Sequence, residues 1–310
     1  MTMLDNKDAA RKHIEDLGYR VTPEAFVDYI HSFQRELIGH YLQAGISPNS
    51  REGKPPHRTP LMLVMAQNDP NSANLLIEAG ADSALVDDHG LSTIKWAVIG
   101  AVLWSRSKEQ IDICARLAEK SNISEEDRHL AEMLNVNMDQ AFAHLLKYWC
   151  KAKQPERLRY MRPPASGSEI ESIAEESKRI FPAALKALYE LFDGEDTSNL
   201  KAWSILPLKE IRKIQNEMRK QPVVNDLSPS GKIKKLKWDD SWIPFAIDAN
   251  GDLLFSSTKL LGDKLPGIAP KEPVYMYLHD EKRVSFASRS VSDGLRLAFE
   301  NLPSLSQPNP

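Results

Sequence analysis

The chain has 310 residues, of which 42% are hydrophobic and 27% are charged, and its formal net charge is −3. These values are those of a globular protein that is large enough for two ordinary domains. Acidic and basic residues nearly balance in both halves, which argues against the basic field of a nucleic-acid-binding protein. No apolar run approaches the roughly 18 residues of a membrane span, and the charged N-terminus is unlike a signal peptide. We therefore expect a cytoplasmic protein that binds neither nucleic acid nor membrane.

The two cysteines, Cys114 and Cys150, are too few for a disulfide framework, and each lies in a helical pattern. We expect both to be free, buried thiols in a reducing compartment. The eight histidines are scattered, and none stands at a metal-ligand spacing. The sequence therefore predicts no metal site.

The N-terminal half contains an internal repeat. The segment 58–66 aligns with the segment 90–97, and the segment 41–45 recurs at 76–80, which gives a period of about 33 to 35 residues. Periods of this length are typical of stacked supersecondary units, and the apolar spacing favours helix pairs.

Local signals mark the ends of these helices. Thr59 can cap the helix that follows it, and Pro60 fits the first turn, where its missing N–H costs nothing. Gly45 and Gly80 stand just after apolar helix ends, where a residue in the left-handed conformation terminates a helix.

The segments 75–82 and 87–90 resemble the second helix and the following turn of the ankyrin repeat. Met62 and Thr93 replace the histidine and the proline that are usual in that family, so the repeats are divergent. Because a repeat buries its face only against its neighbours, the degenerate helices on either side are expected to cap the stack. The resemblance implies an all-α ankyrin-like domain over residues 20–155.

The last helices of this domain lead to a linker. A helix opens at Ser124, and apolar residues keep helical spacing to Trp149 with a break at about 136–139. Residues 156–167 mix basic residues with prolines and a glycine, a composition typical of a linker. A capping-box pattern at 168–171 then restarts a helix.

The C-terminal half alternates helical and strand-like segments, which predicts an α+β domain over residues 168–303. Residues 170–191 are helical with an interruption at Phe181–Pro182, residues 292–302 form a closing amphipathic helix, and residues 304–310 are expected to be a disordered tail. The strand-like runs, which we expect to pair in an antiparallel sheet, are 203–206, 243–247, 253–256, 274–278 and 284–287.

The most informative stretch is a predicted β-hairpin. Two apolar segments, 243–247 and 253–255, flank an acidic turn at 248–252. Asn250–Gly251 favours a type I′ turn, because both residues tolerate positive φ. Pro244 fits a strand start or an open sheet edge, since it lacks an N–H.

This hairpin and the segments around it resemble the SUKH superfamily, which includes bacterial immunity proteins of polymorphic toxin systems and yeast cell-wall-assembly regulators. The segment 181–189 resembles the first helix of that family, 203–211 its strand-to-helix step, and 274–277 a later strand. The resemblance covers about residues 168–302. The turn 248–252 departs from the family pattern, because it has one glycine where members often carry two or more.

The sequence contains no recognisable catalytic pattern. There is no glycine-rich phosphate loop, nucleophile elbow or pair of catalytic carboxylates with a base. Asp248, Asn250 and Asp252 have the spacing that opens a calcium loop, but Leu253 and Lys259 stand where that loop needs glycine and glutamate. We therefore expect no cofactor and no enzymatic activity.

Acidic and aromatic residues in the C-terminal loops are the candidates for binding a partner, since tryptophan beside charge is typical of interface anchors. The alternatives are a solvated surface for the carboxylates and a core position for Trp203 and Trp242. The lysine-rich run 232–238 favours a protected strand edge over an anion-binding patch. The predicted partner-binding residues are Glu195, Asp196, Trp203, Asp239, Asp240, Trp242, Asp248, Asn250 and Asp252.

The SUKH resemblance implies an immunity protein that binds a cognate toxin, often a nuclease, and blocks its active site or substrate path. Carboxylates in the loops would complement a basic nuclease surface and speed association. An alternative is a regulatory scaffold with several partners, like the yeast members of the superfamily. A further alternative is a hydrolase that depends on Asp248 or Asp252.

Overall fold

A computed structural model describes residues 3–32, 35–104, 107–196, 203–220, 224–227, 233–257 and 272–299. The chain divides into two compact units, residues 1–141 and residues 142–303. The division between the two units falls within a helix. The sequence instead predicted a linker at 156–167, and these predicted domain limits stay a prediction. The predicted tail, 304–310, lies outside the described residues.

The first unit is helical over the residues described. Its helices are α1 (Met3–Asp16), α2 (Pro23–His31), α3 (Ile38–Gln43), α4 (Pro60–Ala66), α5 (Pro70–Glu78), α6 (Thr93–Trp104), α7 (Lys108–Ala118) and α8 (Glu125–Val136).

These helices stack in two rows. Helices α2, α4, α6 and α8 contact one another in sequence, and so do α1, α3, α5 and α7. Gly100 lets α6 approach α4 closely, because a Cβ at this position would overlap the backbone of Ala66. The helix pairs therefore form the paired layers predicted from the repeat, whereas the ankyrin assignment stays a prediction.

The predicted helix ends are confirmed. The Thr59 hydroxyl accepts the Met62 N–H at 3.4 Å, and Pro60 is the first residue of α4. Gly45 and Gly80 have φ values of +85° and +89°, the left-handed conformation that ends a helix at low cost only for glycine.

The second unit contains one sheet and several helices. The helices are α9 (Met138–Lys153), which begins in the first unit, α10 (Pro155–Leu158), α11 (Gly167–Glu176), α12 (Ala183–Tyr189), α13 (Leu208–Lys220) and α14 (Val291–Ala298). The strands are β1 (Ser204–Ile205), β2 (Val224–Leu227), β3 (Ile233–Leu236), β4 (Ile243–Ile247), β5 (Leu253–Ser256), β6 (Val274–Leu278) and β7 (Arg283–Ser288).

The strand order in the sheet is β1-β4-β5-β6-β7-β2-β3. Within this order, β1, β4, β5, β6 and β7 pair antiparallel with one another. Strand β2 pairs in parallel with β7, and β3 pairs antiparallel with β2. The α+β class and the five predicted strands are confirmed, while β2 was not predicted. Strand β3, which carries Lys234 and Lys235, is the outermost strand of the described sheet, the edge position expected for the lysine-rich run.

Helices cover the sheet at specific points. Helix α13 contacts β4, and α14 contacts β7. Gly294 of α14 permits a close approach, since a Cβ there would lie 2.8 Å from Val274 Cγ2 and 3.2 Å from Phe245 Cζ. Helix α11 starts two residues earlier than predicted, because Ser166 and Glu169 form its capping box.

Candidate functional site

The β4–β5 turn is organised by the first acidic residue of the hairpin. One carboxylate oxygen of Asp248 accepts the backbone N–H groups of Asn250 and Asp252, both at 2.9 Å. Gly251 has a φ of +84°, but Asn250 does not have positive φ. The predicted type I′ turn is therefore wrong: the side chain of Asp248 selects a three-residue loop that ends in a left-handed glycine.

The β6–β7 turn lies against this hairpin. The His279 N–H donates to the Asp252 carboxylate at 2.8 Å, and a Cβ at Gly251 would lie 3.5 Å from the imidazole ring. The segments 248–252 and 279–282 together form what we call the tip surface. It carries four carboxylates and one lysine, so it is net acidic.

Glu195, one of the predicted surface carboxylates, is buried. The Arg157 guanidinium donates to its two oxygens at 2.5 and 2.8 Å. Arg157 also donates to the carbonyls of Trp203 and Ala298, both at 2.9 Å, and lies 4.2 Å from the centre of the Phe299 ring. The side chains of the ion pair are only 12% and 4% exposed, so Glu195 cannot present its charge to a partner.

The buried pair supports the first strand of the sheet. Glu195 accepts the Ile205 N–H at 2.7 Å through its carboxylate and donates its own N–H to the Ile205 carbonyl at 2.8 Å. Because Ser204 pairs with Ile247, the adjoining Trp203 lies at the same end of the sheet as the tip surface. Trp203 is partly exposed and Asp196 is exposed, so both remain accessible to a partner.

The other predicted residues lie at the opposite end of β4. Asp239 and Asp240 precede the strand, and both are partly exposed. The Asp240 carboxylate pairs with Arg219 at 2.6 Å. Trp242 is 2% exposed and stacks on Phe255 with ring centres 4.9 Å apart. Trp242 therefore occupies a core position, which was the alternative to a role in binding. The predicted residues form two groups, one at each end of β4.

Both cysteine thiols are free and buried, as predicted. Burial raises the pKa of Cys114 and of Cys150 to about 12, so neither side chain is a ready nucleophile. Within the described residues, no group of three or more His, Cys, Asp or Glu side chains could hold a metal ion. No helix in the same part of the chain is both long and apolar enough to cross a membrane.

Several functional-site residues were not predicted. Arg157 stood in the expected linker, and His279 between the two predicted strands 274–278 and 284–287. Their partners, Glu195 and Asp252, are 38 and 27 residues away, and no local pattern signals contacts over such distances. Arg157 is one of several basic residues in this stretch, so its residue type alone does not distinguish it from its neighbours.

The second unit is thus an α+β domain whose antiparallel strands present acidic loops at two opposite ends of one sheet. Residues 164–296, somewhat less than half of the chain, match the family model of the SMI1 / KNR4 family (SUKH-1). The C-terminal half therefore contains a SUKH-1 domain, and the SUKH resemblance is confirmed. Domains of this family are generally non-catalytic immunity or regulatory domains, which supports a role of immunity-protein or regulator type. The chain matches no curated protein.

Proposed function

We propose that this protein is a non-catalytic immunity protein that neutralises a cognate bacterial toxin of the nuclease type by forming a direct complex with it. The SUKH-1 domain at residues 164–296 is the observation that carries this proposal. Domains of this family are generally protein-binding domains of immunity or regulatory type, which supports a protein as the partner.

The tip surface is the part of the domain best suited to meet a basic nuclease. Asp280 is 92% exposed and Glu281 is 55% exposed at their side chains, next to the carboxylates of Asp248 and Asp252. An acidic surface attracts a basic partner over several ångströms and raises the association rate. Trp203, at the same end of the sheet, adds a partly exposed aromatic ring.

Co-expression with the toxin encoded at the neighbouring locus tests the function directly. We expect survival of the host and a stable complex on gel filtration. Toxicity that is not relieved, together with no complex between the purified proteins, would contradict the proposal.

A charge reversal tests the role of the tip surface. Asp280→Lys should slow association with the toxin severalfold at low ionic strength and much less at high salt, because salt screens exposed charges. Glu175→Lys is the matched control, since Glu175 is an exposed carboxylate on α11, outside the tip surface. Equal association rates for both variants would exclude the tip surface while leaving the immunity function open.

A second candidate function is a regulatory scaffold that binds several partners. The two-row helical stack of the first unit favours it, because stacked repeats present extended binding surfaces. Affinity purification that returns many unrelated host proteins and no toxin would favour the scaffold over the immunity protein.

A further inference from the structure

We propose that His13 and His40 together bind one divalent copper or nickel ion between helices α1 and α3. The two imidazole rings are in contact, with ring centres 4.5 Å apart and ring planes inclined by 47°. Such a site has two protein ligands, fewer than the groups of three or more considered above, and water completes the coordination. It lies in the first unit and does not depend on the immunity function.

Packing between α1 and α3 holds the two histidines side by side. Ile14, which follows the first histidine, and Tyr41, which follows the second, are both 0% exposed. The guanidinium of Arg11 on α1 donates to the Ala44 carbonyl at the end of α3 at 3.4 Å. The helices therefore bring the rings together before a metal arrives, so binding needs little ordering of the chain.

Both rings are available to a ligand. His13 is exposed and His40 is partly exposed. Apart from their mutual contact, neither imidazole has a hydrogen bond or an ion pair in the part of the chain that the structure describes. A neutral imidazole nitrogen is a preferred ligand of copper and nickel. Two such rings on adjacent helices can therefore chelate one ion without giving up another contact.

The distance between the rings favours one coordination geometry. A metal–nitrogen bond of about 2.0 to 2.1 Å places an imidazole centre about 3.2 Å from the ion. Two rings at a right angle around the ion then have centres about 4.5 Å apart, and two rings at the tetrahedral angle about 5.2 Å. The observed separation of 4.5 Å matches the right angle between neighbouring ligands in the tetragonal sites of copper and nickel.

The ring nitrogens can adjust to the ion without moving the helices. An imidazole turns about its Cβ–Cγ bond, which is a soft torsion, and this axis passes close to the ring centre. The separation of the centres is therefore set by the backbone and the first side-chain torsion, and it is kept while the nitrogens turn. Because His13 is exposed, its ring has room for this movement.

Basic residues of α1 limit the affinity for a cation. Arg11 contacts Ala44, and Lys7 approaches Gly45 so closely that a Cβ there would lie 2.6 Å from the lysine Cε. Both cations are on the face of α1 that meets α3, and they repel a divalent ion. With this repulsion and two ligands in place of the four of a structural zinc site, we expect a dissociation constant in the micromolar range.

Calorimetric titration of the EDTA-treated full chain with nickel chloride tests the proposal. We expect one nickel ion per chain. His13→Gln and His40→Gln should each weaken binding by about tenfold or more, since even an outer-shell partner of a metal ligand is worth about 10- to 100-fold. His31→Gln is the matched control, because His31 is a partly exposed histidine on α2 of the same unit, and it should leave the affinity unchanged.

Equal affinities in all three variants, with circular dichroism showing intact helices, would overturn the proposal, because the histidines would then bind nickel independently. Electron paramagnetic resonance of the copper complex of the unaltered chain gives a second test that needs no variant. We expect coupling to the nitrogens of two imidazoles, and coupling to only one would also overturn the proposal. Neither experiment involves a toxin, so the immunity function is tested separately.

Discussion

Replacing Glu195 by glutamine should destabilise the SUKH-1 domain strongly although it removes no side-chain volume. One carboxylate oxygen accepts from Arg157, and the other accepts from both Arg157 and the Ile205 N–H. A glutamine NH₂ group placed in either position would face a donor. The substitution therefore leaves a buried guanidinium without its counter-charge and at least one donor without an acceptor.

Removing one partner of a buried ion pair typically costs about 3 to 5 kcal/mol. We expect about 3 kcal/mol here, because the Arg157 guanidinium keeps its bonds to two backbone carbonyls. A loss of this size raises the population of locally opened molecules about a hundredfold.

Cys150 provides the assay, because it is fully buried in the same unit as the pair. In a Cys114→Ala background, the rate at which a disulfide reagent labels Cys150 measures how often this region opens. Glu195→Gln should accelerate labelling about a hundredfold. Burial is the main cause of the raised pKa of Cys150, and the charge of Glu195 makes a smaller contribution. Removing that charge lowers the thiol pKa and speeds labelling, but this effect accounts for only part of a hundredfold increase.

Glu156→Gln is the control, since Glu156 pairs with Arg159 at 2.8 Å on side chains that are 69% and 74% exposed. Exposed pairs contribute about 0 to 1 kcal/mol, so its labelling rate should change by less than about fivefold. Similar rates for the Glu195 and Glu156 variants would refute the reasoning that burial makes the Arg157 pair important.

Two further predictions concern stability. Gly294→Ala should lower the free energy of unfolding by about 1 to 3 kcal/mol through overpacking against Val274, although alanine is the better helix former. Gly39→Ala, which has no neighbour within 4 Å, should leave stability unchanged or increase it; urea unfolding of both variants distinguishes these outcomes, and equal effects would contradict the packing argument. Burial, with a smaller effect of Asp193, raises the pKa of Tyr189 well above its usual value. Above about pH 10 the unfolded chain therefore loses a proton that the folded chain keeps. The free energy of unfolding falls as pH rises for this reason. Tyr189→Phe should reduce the slope of unfolding free energy against pH between about pH 10 and 12, and an unchanged slope would show that Tyr189 titrates freely.

Local signals predicted much of the fold. The cap at Thr59, the glycines that end helices and the apolar runs of β4 to β7 each act over a few residues, so sequence spacing reveals them. Strand β2 was missed because Val224–Leu227 has polar residues at its centre and therefore lacks an apolar run. The hairpin turn was misjudged because the backbone preference of Asn250–Gly251 competes with the side-chain bonds of Asp248, and the latter dominate.

The candidate site was less predictable than the fold. Residue type suggested an exposed role for Glu195, but a basic residue 38 positions earlier neutralises it inside the domain. Asp239 and Asp248 were both predicted to bind a partner, but no local pattern indicates how far apart they lie. The extended strand between them separates the two residues, and only the register of the sheet reveals which loops adjoin each of them.

The length of β4 has a consequence for assembly. Its five residues span about 16 Å, so the tip surface and the segment 239–241 occupy opposite rims of the same sheet at a distance smaller than the width of an ordinary protein interface. A globular protein that sits on one rim is therefore expected to obstruct the other. Separate partners for the two rims would exclude each other.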